Sequence, residues 1–377
     1  MLKGIKHLGG RILTNAWGWR TKRKIVVIES DDWGSIRMPS KEVYYKCLKA
    51  GYPVDKNPYE RFDSLASEDD LELLFDLLSS FNDKGGNHPK ITANCVVTNP
   101  NFDKINENHF SEYKYELIGD TFKRYPKHSR NLKIWAEGIG KGLFYPQFHA
   151  REHLNVSKFM DALRKGNEDA LFAFENRMPG IINKGLVNSG NDYVEATCYI
   201  DTDDKAEKLK IYMDGLQLFE TLFGYKSLSV IPPNYIWSNS FNKPVAEMGV
   251  RYIQGARKMR EPATSAPVYH KRHLGAKNEF DQVALVRNCA FEPSLYSSNT
   301  DNVSQCLKDI SIAFLLNKPA IISTHRINYV GYLDESNRDK TLLDLKQILN
   351  SIIKKWHDVE FMTSDKLGEV ILKDAKN

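Results

Sequence analysis

Short apolar runs rich in β-branched residues alternate with helical patterns along this chain of 377 residues. Strands that are apolar throughout, rather than alternating with polar residues, are typical of a parallel sheet covered on both faces. The alternation therefore predicts an α/β fold, either a barrel or a doubly wound sheet. We predict strands at residues 24–30, 90–98, 143–148, 227–231, 319–324 and 359–362, and helices at residues 68–82, 205–223, 303–317 and 342–356.

No nucleotide-binding loop follows any predicted strand. The patterns GxGxxG and GxxxxGK[ST] are absent from these positions of the sequence. Such loops bind phosphate groups through backbone N–H groups at the start of a helix. We therefore expect neither a dinucleotide-binding nor a P-loop site.

The net charge of +5 is concentrated at the N-terminus. Residues 1–24 carry seven of the 53 Lys and Arg side chains and no Asp or Glu, which leaves 46 basic and 48 acidic side chains in residues 25–377. A nearly neutral body argues against a nucleic-acid-binding face, which needs clustered basic residues. We predict a basic N-terminal arm, residues 1–24, followed by a single domain, residues 25–377, that binds no nucleic acid.

The N-terminal arm also has helical periodicity, and two interpretations are open. Either the arm lies on a membrane surface, or it packs against its own domain. Basic residues and a Gly-Gly pair interrupt its apolar run, so we expect no signal peptide and a cytoplasmic protein, membrane-associated through residues 1–24 in the first case. One face of the helical wheel holds Leu2, Ile5, Leu8, Ile12, Ala16 and Trp19.

Polar residues cluster at predicted strand ends, where parallel α/β enzymes collect catalytic groups. Asp31 and Asp32 follow the first strand. Two adjacent carboxylates at a buried strand end favour a metal ion, and a helix-capping turn explains them equally well. His149 and His153 have the i, i+4 spacing that places two imidazoles on one face of a helical turn, where they can bind one metal ion. Together with Glu152 they also match the HxxEH pattern of zinc peptidases.

Two further strand ends carry polar groups. Pro232 and Pro233 form a rigid turn that presents Asn234 and the aromatic residues after it, which suits stacking on a sugar ring or a packed loop. His325 ends another buried strand. It is either an acid catalyst or a histidine of the core.

In this order the motifs resemble those of the polysaccharide deacetylase family, the NodB-homology carbohydrate esterases. Residues 30–32 match the [TS]FDD motif with one residue fewer, and residues 149–153 match the spacing of H[ST]xxH. Residues 231–234 match RxPY in part, and residues 323–325 match LxH in position. The Asp-Asp-Trp-Gly stretch is also similar to the ADDFG motif of the YdjC-like sugar deacetylases. The resemblance covers residues 25–361 and implies a distorted, seven-stranded, parallel (β/α) barrel.

The resemblance also implies the roles of individual residues. Asp31 would be the catalytic base, and His325 the acid. Asp32, His149 and His153 would hold a divalent metal ion, zinc by ligand type. The implied activity is metal-dependent removal of an acetyl group from an acetylated sugar or polysaccharide precursor.

Several features differ from the family pattern or shape the substrate site. An insertion near residues 41–70 is expected at the rim. Ile231 stands where the family has an arginine that orients the base, with Arg151, Arg257 and Arg287 as candidate replacements. A non-catalytic carbohydrate-binding relative and an HxxEH zinc peptidase are the alternative functions. The predicted substrate-binding residues are Trp33, Arg151, Pro233, Asn234, Tyr235, Trp237 and Arg257.

Overall fold

The computed structural model describes residues 2–184, 192–262, 268–296 and 301–374. Its helices are α1 (Leu2–Asn15), α2 (Lys41–Lys49), α3 (Pro58–Phe62), α4 (Glu68–Ser79), α5 (Phe102–Glu107), α6 (Ile118–Arg124), α7 (Asn131–Gly140), α8 (Val156–Arg164), α9 (Glu168–Glu175), α10 (Thr202–Phe223), α11 (Asn242–Glu247), α12 (Asn302–Leu315), α13 (Glu335–Lys355) and α14 (Ser364–Asp374). Its strands are β1 (Lys24–Trp33), β2 (Ile91–Val96), β3 (Thr98–Pro100), β4 (Tyr115–Leu117), β5 (Phe144–Ala150), β6 (Ser229–Val230), β7 (Tyr252–Gly255), β8 (Lys258–Glu261), β9 (Val268–Lys271), β10 (Val283–Val286), β11 (Cys289–Ala290), β12 (Ala320–His325) and β13 (Val359–Phe361).

The main sheet is parallel, as the apolar strand pattern predicts. Within the described ranges it has nine strands in the order β10-β7-β6-β5-β2-β1-β12-β11, with β13 paired to the start of β1. Two antiparallel pairs, β3 with β4 and β8 with β9, lie outside it. Because its strands are parallel, their carboxyl ends share one edge of the sheet, and that edge carries the motifs.

The sheet curls into a distorted barrel. Its two ends, β10 and β11, are separated in sequence only by Arg287 and Asn288, so one extended stretch pairs first with β7 and then with β12. If this stretch is counted as one strand, the barrel has seven strand positions, in agreement with the predicted fold class. The curl brings distant strands into contact: Asn94 on β2 donates a hydrogen bond to Gln254 on β7 at 3.0 Å.

The first strand is buried on both faces, which explains its continuous apolar run. Val26 and Ile28 belong to the large core beneath the surrounding helices. Ile25 and Val27 point the other way and pack in a smaller cluster with Leu367 of α14. Helix α14 was not among the predicted elements.

The other predicted elements are present with shifted bounds. The predicted helix at residues 342–356 begins earlier, at Glu335, after an N-cap from Asp334. The stretch at residues 41–70 contains α2 and α3. No helix in the described part of the chain is long and apolar enough to span a membrane.

Candidate metal centre

Three buried side chains converge at the carboxyl edge of the barrel. Oδ1 of Asp32 lies 3.4 Å from Nε2 of His149 and 3.3 Å from Nε2 of His153. One ligand-type atom of each residue lies within 4.8 Å of the other two. A carboxylate with two imidazole nitrogens is a donor set that zinc and similar divalent ions bind. The three residues therefore form a candidate metal site.

Asp32 reaches this site because β1 is distorted at its end. Its φ of 73° lies in the left-handed region, which is unfavourable for a residue with a side chain. The register between β1 and β2 shifts between Ser30 and Trp33. The distortion lets two consecutive carboxylates, Asp31 and Asp32, both line one cavity instead of alternating across the sheet.

The two histidines come from different local structures. His149 lies on β5, and His153 lies in the bend that follows it. The interpretation that they share a helical turn is therefore wrong, since the chain folds back instead. Nδ1 of His149 is 2.7 Å from the carbonyl oxygen of Ile231, which accepts its hydrogen and leaves Nε2 free as a metal ligand.

The electrostatics of Asp32 and His153 also suit a cation. Burial acts to raise the pKa of Asp32, but His153, His149 and Arg37 outweigh burial and hold that pKa well below its usual value. Burial lowers the pKa of His153 to about 3, although Asp32 acts to raise it. The ionised carboxylate of Asp32 and the neutral imidazole of His153 are in the protonation states that bind a metal ion.

Arg287 holds the neighbouring carboxylate, Asp31. Nη1 of Arg287 donates to Oδ2 of Asp31 at 2.7 Å, and Nη2 donates to Oδ1 at 2.6 Å. Burial acts to raise the pKa of Asp31, yet Arg287 outweighs burial and lowers that pKa below its usual value. Among the three candidate replacements for the arginine absent at Ile231, Arg287 is the one that contacts Asp31.

A buried polar network supports the Asp31–Arg287 pair. Nε of Arg287 donates to Oε2 of Glu29 at 2.6 Å. Nδ2 of Asn94 donates to Oδ1 of Asp31 at 2.8 Å. Burial raises the pKa of Glu29, although Arg287 acts to lower it. These bonds fix the orientation of the Asp31 carboxylate.

His325 stands beside Asp31 on the adjacent strand. The two residues are register partners between β1 and β12, and Nε2 of His325 lies 3.8 Å from Oδ2 of Asp31. Nδ1 of His325 is 2.6 Å from Oε1 of Glu292, whose other oxygen accepts a bond from Asn328 at 2.7 Å. Burial acts to lower the pKa of His325, but Glu292 and the two aspartates raise it to about 10. The imidazole is therefore cationic at neutral pH.

These groups lie on the floor of a cavity of about 540 Å³. Tyr59 and Glu60 of α3 contribute to its wall, so the stretch at residues 41–70 reaches the site. Asn234 and Tyr235 line it with φ angles of 56° and 55°, both in the left-handed region. Its lining consists of Asp31, Asp32, Ser35, Ile36, Arg37, Met38, Asn57, Tyr59, Glu60, His149, His153, Met178, Pro179, Gly180, Val194, Pro232, Asn234, Tyr235 and His325.

The two predicted tryptophans lie in the protein core instead. Trp33 is 1% exposed, packs edge-on against Phe144, and donates from Nε1 to Oγ of Ser30 at 2.9 Å. Trp237 is 4% exposed and donates from Nε1 to Oδ1 of Asn242 at 2.8 Å. Neither indole lines the cavity, so neither is placed to contact a substrate there.

Three other predicted residues are also outside the cavity lining. Pro233 is buried in the turn before Asn234. Arg151 is paired with Glu152 and Asp214, each at 2.9 Å. The guanidinium of Arg257 lies 5.9 Å from the ring centre of Trp17 in the N-terminal arm.

Glu152 does not face the candidate metal ligands. Its Oε2 accepts from Oγ1 of Thr98 at 2.9 Å and pairs with Arg151. In the HxxEH pattern the glutamate carboxylate is the base. Here the Glu152 carboxylate is bonded to Thr98 and Arg151 instead, although both histidines converge.

Sequence reasoning missed Arg37, Asn94, Tyr59, Glu60 and Glu292. A signal existed for Asn94, because an amide side chain stands in a strand whose other residues, apart from Thr92, are apolar. Glu292 follows a two-residue strand that has no recognisable pattern. Arg37, Tyr59 and Glu60 come from a loop and a short helix, and only the tertiary fold brings them to the cavity.

No protein-family model matches the sequence, and no curated protein matches it closely enough to count as a relative. Among solved structures, a candidate glycoside hydrolase/deacetylase from Parabacteroides distasonis is similar at a TM-score of 0.52 and 10% identity, over 94% of this chain and 73% of that one. A candidate polysaccharide deacetylase from Mycobacterium smegmatis is similar at a TM-score of 0.46 and 10% identity, over 95% and 94% of the two chains. A 4-alpha-glucanotransferase from Thermococcus litoralis has a TM-score of 0.43 and 10% identity; 91% of this chain covers 40% of its length. The likeness to the first structure establishes a shared fold.

Proposed function

We propose that the chain is a metal-dependent hydrolase that removes an acetyl group from an acetylated sugar or polysaccharide precursor. One observation carries the proposal: the arginine-bound carboxylate of Asp31 lies beside the site formed by Asp32, His149 and His153, and a cationic histidine stands next to it. A base, a cation site and an acid around one cavity are the groups that amide or ester hydrolysis requires.

The three candidate ligands fit zinc by their chemistry. Asp32 offers an ionised oxygen, and His149 offers the Nε2 that its bond to the Ile231 carbonyl leaves free. His153 offers a second imidazole, held neutral by burial. A bound zinc ion supplies a Lewis acid that polarises an acyl oxygen and lowers the pKa of water.

Asp31 acts as the general base. Arg287 keeps its carboxylate ionised, and Asn94 fixes its orientation. It takes the proton from the water that attacks the acyl carbon. Two hydrogen bonds from one guanidinium hold this carboxylate in place before substrate binds. The base therefore loses little further orientational freedom when the substrate binds.

His325 acts as the general acid. Glu292 binds its Nδ1, so the Nε2 hydrogen remains for the leaving amine or alkoxide. The raised pKa of His325 keeps that proton in place at neutral pH. The backbone around Asn234 is the candidate donor to the developing oxyanion.

The cavity walls suit a sugar. Tyr59 and Tyr235 present aromatic rings on the lining, and Arg37 and Glu60 add polar groups. An aromatic face with a few polar partners is a common way to hold a carbohydrate ring.

The alternative of a non-catalytic carbohydrate-binding protein was motivated by the arginine missing at Ile231. Arg287 supplies the equivalent contact to Asp31, so this motivation is lost. The peptidase alternative needs Glu152 as its base, and that side chain is paired with Arg151 instead.

Acetate release tests the proposal. Zinc-loaded protein is incubated with a panel of N-acetylated and O-acetylated oligosaccharides, beside Asp31→Asn and the exposed control Asp120→Asn. We expect acetate from the wild type and the control, and a loss of about 1,000-fold in Asp31→Asn. Sugar binding without acetate release from any zinc-loaded protein supports the non-catalytic alternative and contradicts the proposal.

A further inference from the structure

Helix α1 presents its polar stripe to the protein. His7 and Arg11 both pair with Asp309 of α12, each at 2.8 Å. Asn15, one turn further along, accepts a bond from Asn288 at 2.7 Å. The i, i+4, i+8 spacing places these three side chains on one face of the helix. Among the described side chains of α1, from His7 to Asn15, the contacts with the body are therefore polar, the reverse of an ordinary surface helix.

The apolar stripe of α1 faces outward as a consequence. Leu8 is 46% exposed, Ile12 45% and Leu13 47%. Trp17, just past the end of the helix, is 50% exposed. Exposure of several large apolar side chains to water is unfavourable. Such exposed patches mark binding surfaces.

The rest of the N-terminal arm is held firmly in this orientation. Nζ of Lys318 donates to the carbonyl oxygens of Trp17 and Gly18 at 2.8 Å and 2.7 Å. The amide of Trp19 donates to the carbonyl of Leu274 at 2.7 Å. With the ion pairs at Asp309, these bonds prevent the helix from turning its apolar face inward.

Cations flank the exposed stripe. Arg20 and Lys22 are exposed just after the helix, and Arg257 lies over the Trp17 ring at 5.9 Å. Residues 1–24 hold seven basic side chains and no acidic one. Two copies of this surface would place like charges against each other, which opposes self-association. An anionic surface is the complementary partner.

We infer that α1 and Trp17 dock the protein on a membrane containing anionic lipids. Leucine and isoleucine side chains enter the boundary between headgroups and acyl chains, and Trp17 sits at the headgroup level. The exposed cations Arg20 and Lys22 contact the lipid phosphates. This docking is independent of the proposed hydrolase activity, because Leu8, Ile12, Leu13 and Trp17 lie outside the cavity lining.

Vesicle sedimentation of the full chain tests the inference. The vesicles are phosphatidylcholine alone, or phosphatidylcholine mixed with phosphatidylglycerol. We expect binding to the mixed vesicles that weakens with added salt. The double variant Leu8→Gln/Ile12→Gln removes exposed side chains and should bind at least about tenfold more weakly. The matched control is Leu73→Gln on α4, whose leucine is 42% exposed and which should bind like the wild type.

Three outcomes would overturn the inference. They are equal binding of the double variant and the wild type, equal loss in Leu73→Gln, and a wild-type dimer in solution that Leu8→Gln/Ile12→Gln converts to a monomer. Circular dichroism and zinc content of the variants show whether the fold and the metal centre are intact. A failure of docking therefore leaves the proposed function standing, and the reverse also holds.

Discussion

Arg287 binds both carboxylate oxygens of Asp31, with N–O distances of 2.6 Å and 2.7 Å, although the residues are 256 positions apart in sequence. The contact depends on barrel closure, because Arg287 lies between β10 and β11, where the two ends of the sheet meet. The candidate base is thus oriented by the stretch of chain that completes the barrel.

Replacing Arg287 with lysine should separate catalysis from metal binding. A lysine keeps the charge but cannot bond both oxygens of Asp31 in a fixed plane. We expect kcat for acetate release to fall about 100-fold, with zinc content unchanged. Steady-state kinetics and metal analysis of the purified variant measure both. A variant with wild-type kcat would show that the bidentate contact is unimportant.

Glu292→Gln should change how stability depends on pH. The folded pKa of His325 is raised to about 10 from 6.5, because Glu292 and the aspartates outweigh burial. The stability from the charged histidine is therefore fully present below pH 6.5 and is lost as pH rises towards 10. Without the Glu292 charge, this loss should shrink. Urea unfolding at both ends of the window measures it, and an identical pH dependence in wild type and variant would contradict the account.

Glu152→Gln distinguishes a deacetylase from a peptidase. The carboxylate pairs with Arg151 and accepts from Thr98 in the interior, so we expect its loss to cost about 2 kcal/mol in the free energy of unfolding. Acetate release per folded molecule should be retained, whereas Asp31→Asn should lose it. Denaturant unfolding and kinetics are measured on the same preparations. Loss of activity in folded Glu152→Gln, with Asp31→Asn active, would favour the peptidase.

Trp33→Phe should change the stability of the protein, whereas Tyr235→Ala should change its KM. Trp33 is buried against Phe144, so its replacement should lower stability by about 2 kcal/mol and leave KM unchanged. Tyr235 lines the cavity, and its removal should raise KM. Thermal unfolding and Michaelis–Menten kinetics provide the comparison. A raised KM in Trp33→Phe at unchanged stability would place the indole at the substrate.

The parallel barrel was predictable because both faces of its strands are buried. Ile25 and Val27 pack in one cluster with α14, while Val26 and Ile28 pack on the opposite face in the large core, so the whole run is apolar. The convergence of Asp32, His149 and His153 at the candidate metal site was predictable because the type and order of these residues suit metal binding. His149 and His153 were identified correctly as a converging pair for the wrong geometric reason, since a strand and a bend bring them together.

The positioning residues were harder to predict. Arg287 was one of three arginines, and the sequence has no way to rank them, because the choice depends on how the barrel closes. Glu292 follows a strand of two residues, too short for any periodic signal. The prediction that Trp33 binds substrate was wrong. At the distorted end of β1, Asp32 lines the cavity and Trp33 packs in the core.

Metal analysis of the purified chain tests directly whether Asp32, His149 and His153 bind a divalent ion. Wild-type protein, Asp32→Ala and His149→Ala are loaded with zinc, dialysed and measured for zinc per chain, with the exposed control Asp120→Asn alongside. We predict one tightly held zinc ion in the wild type and the control, and its loss in both site variants. Stoichiometric zinc in Asp32→Ala and His149→Ala, or none in the wild type, would contradict it.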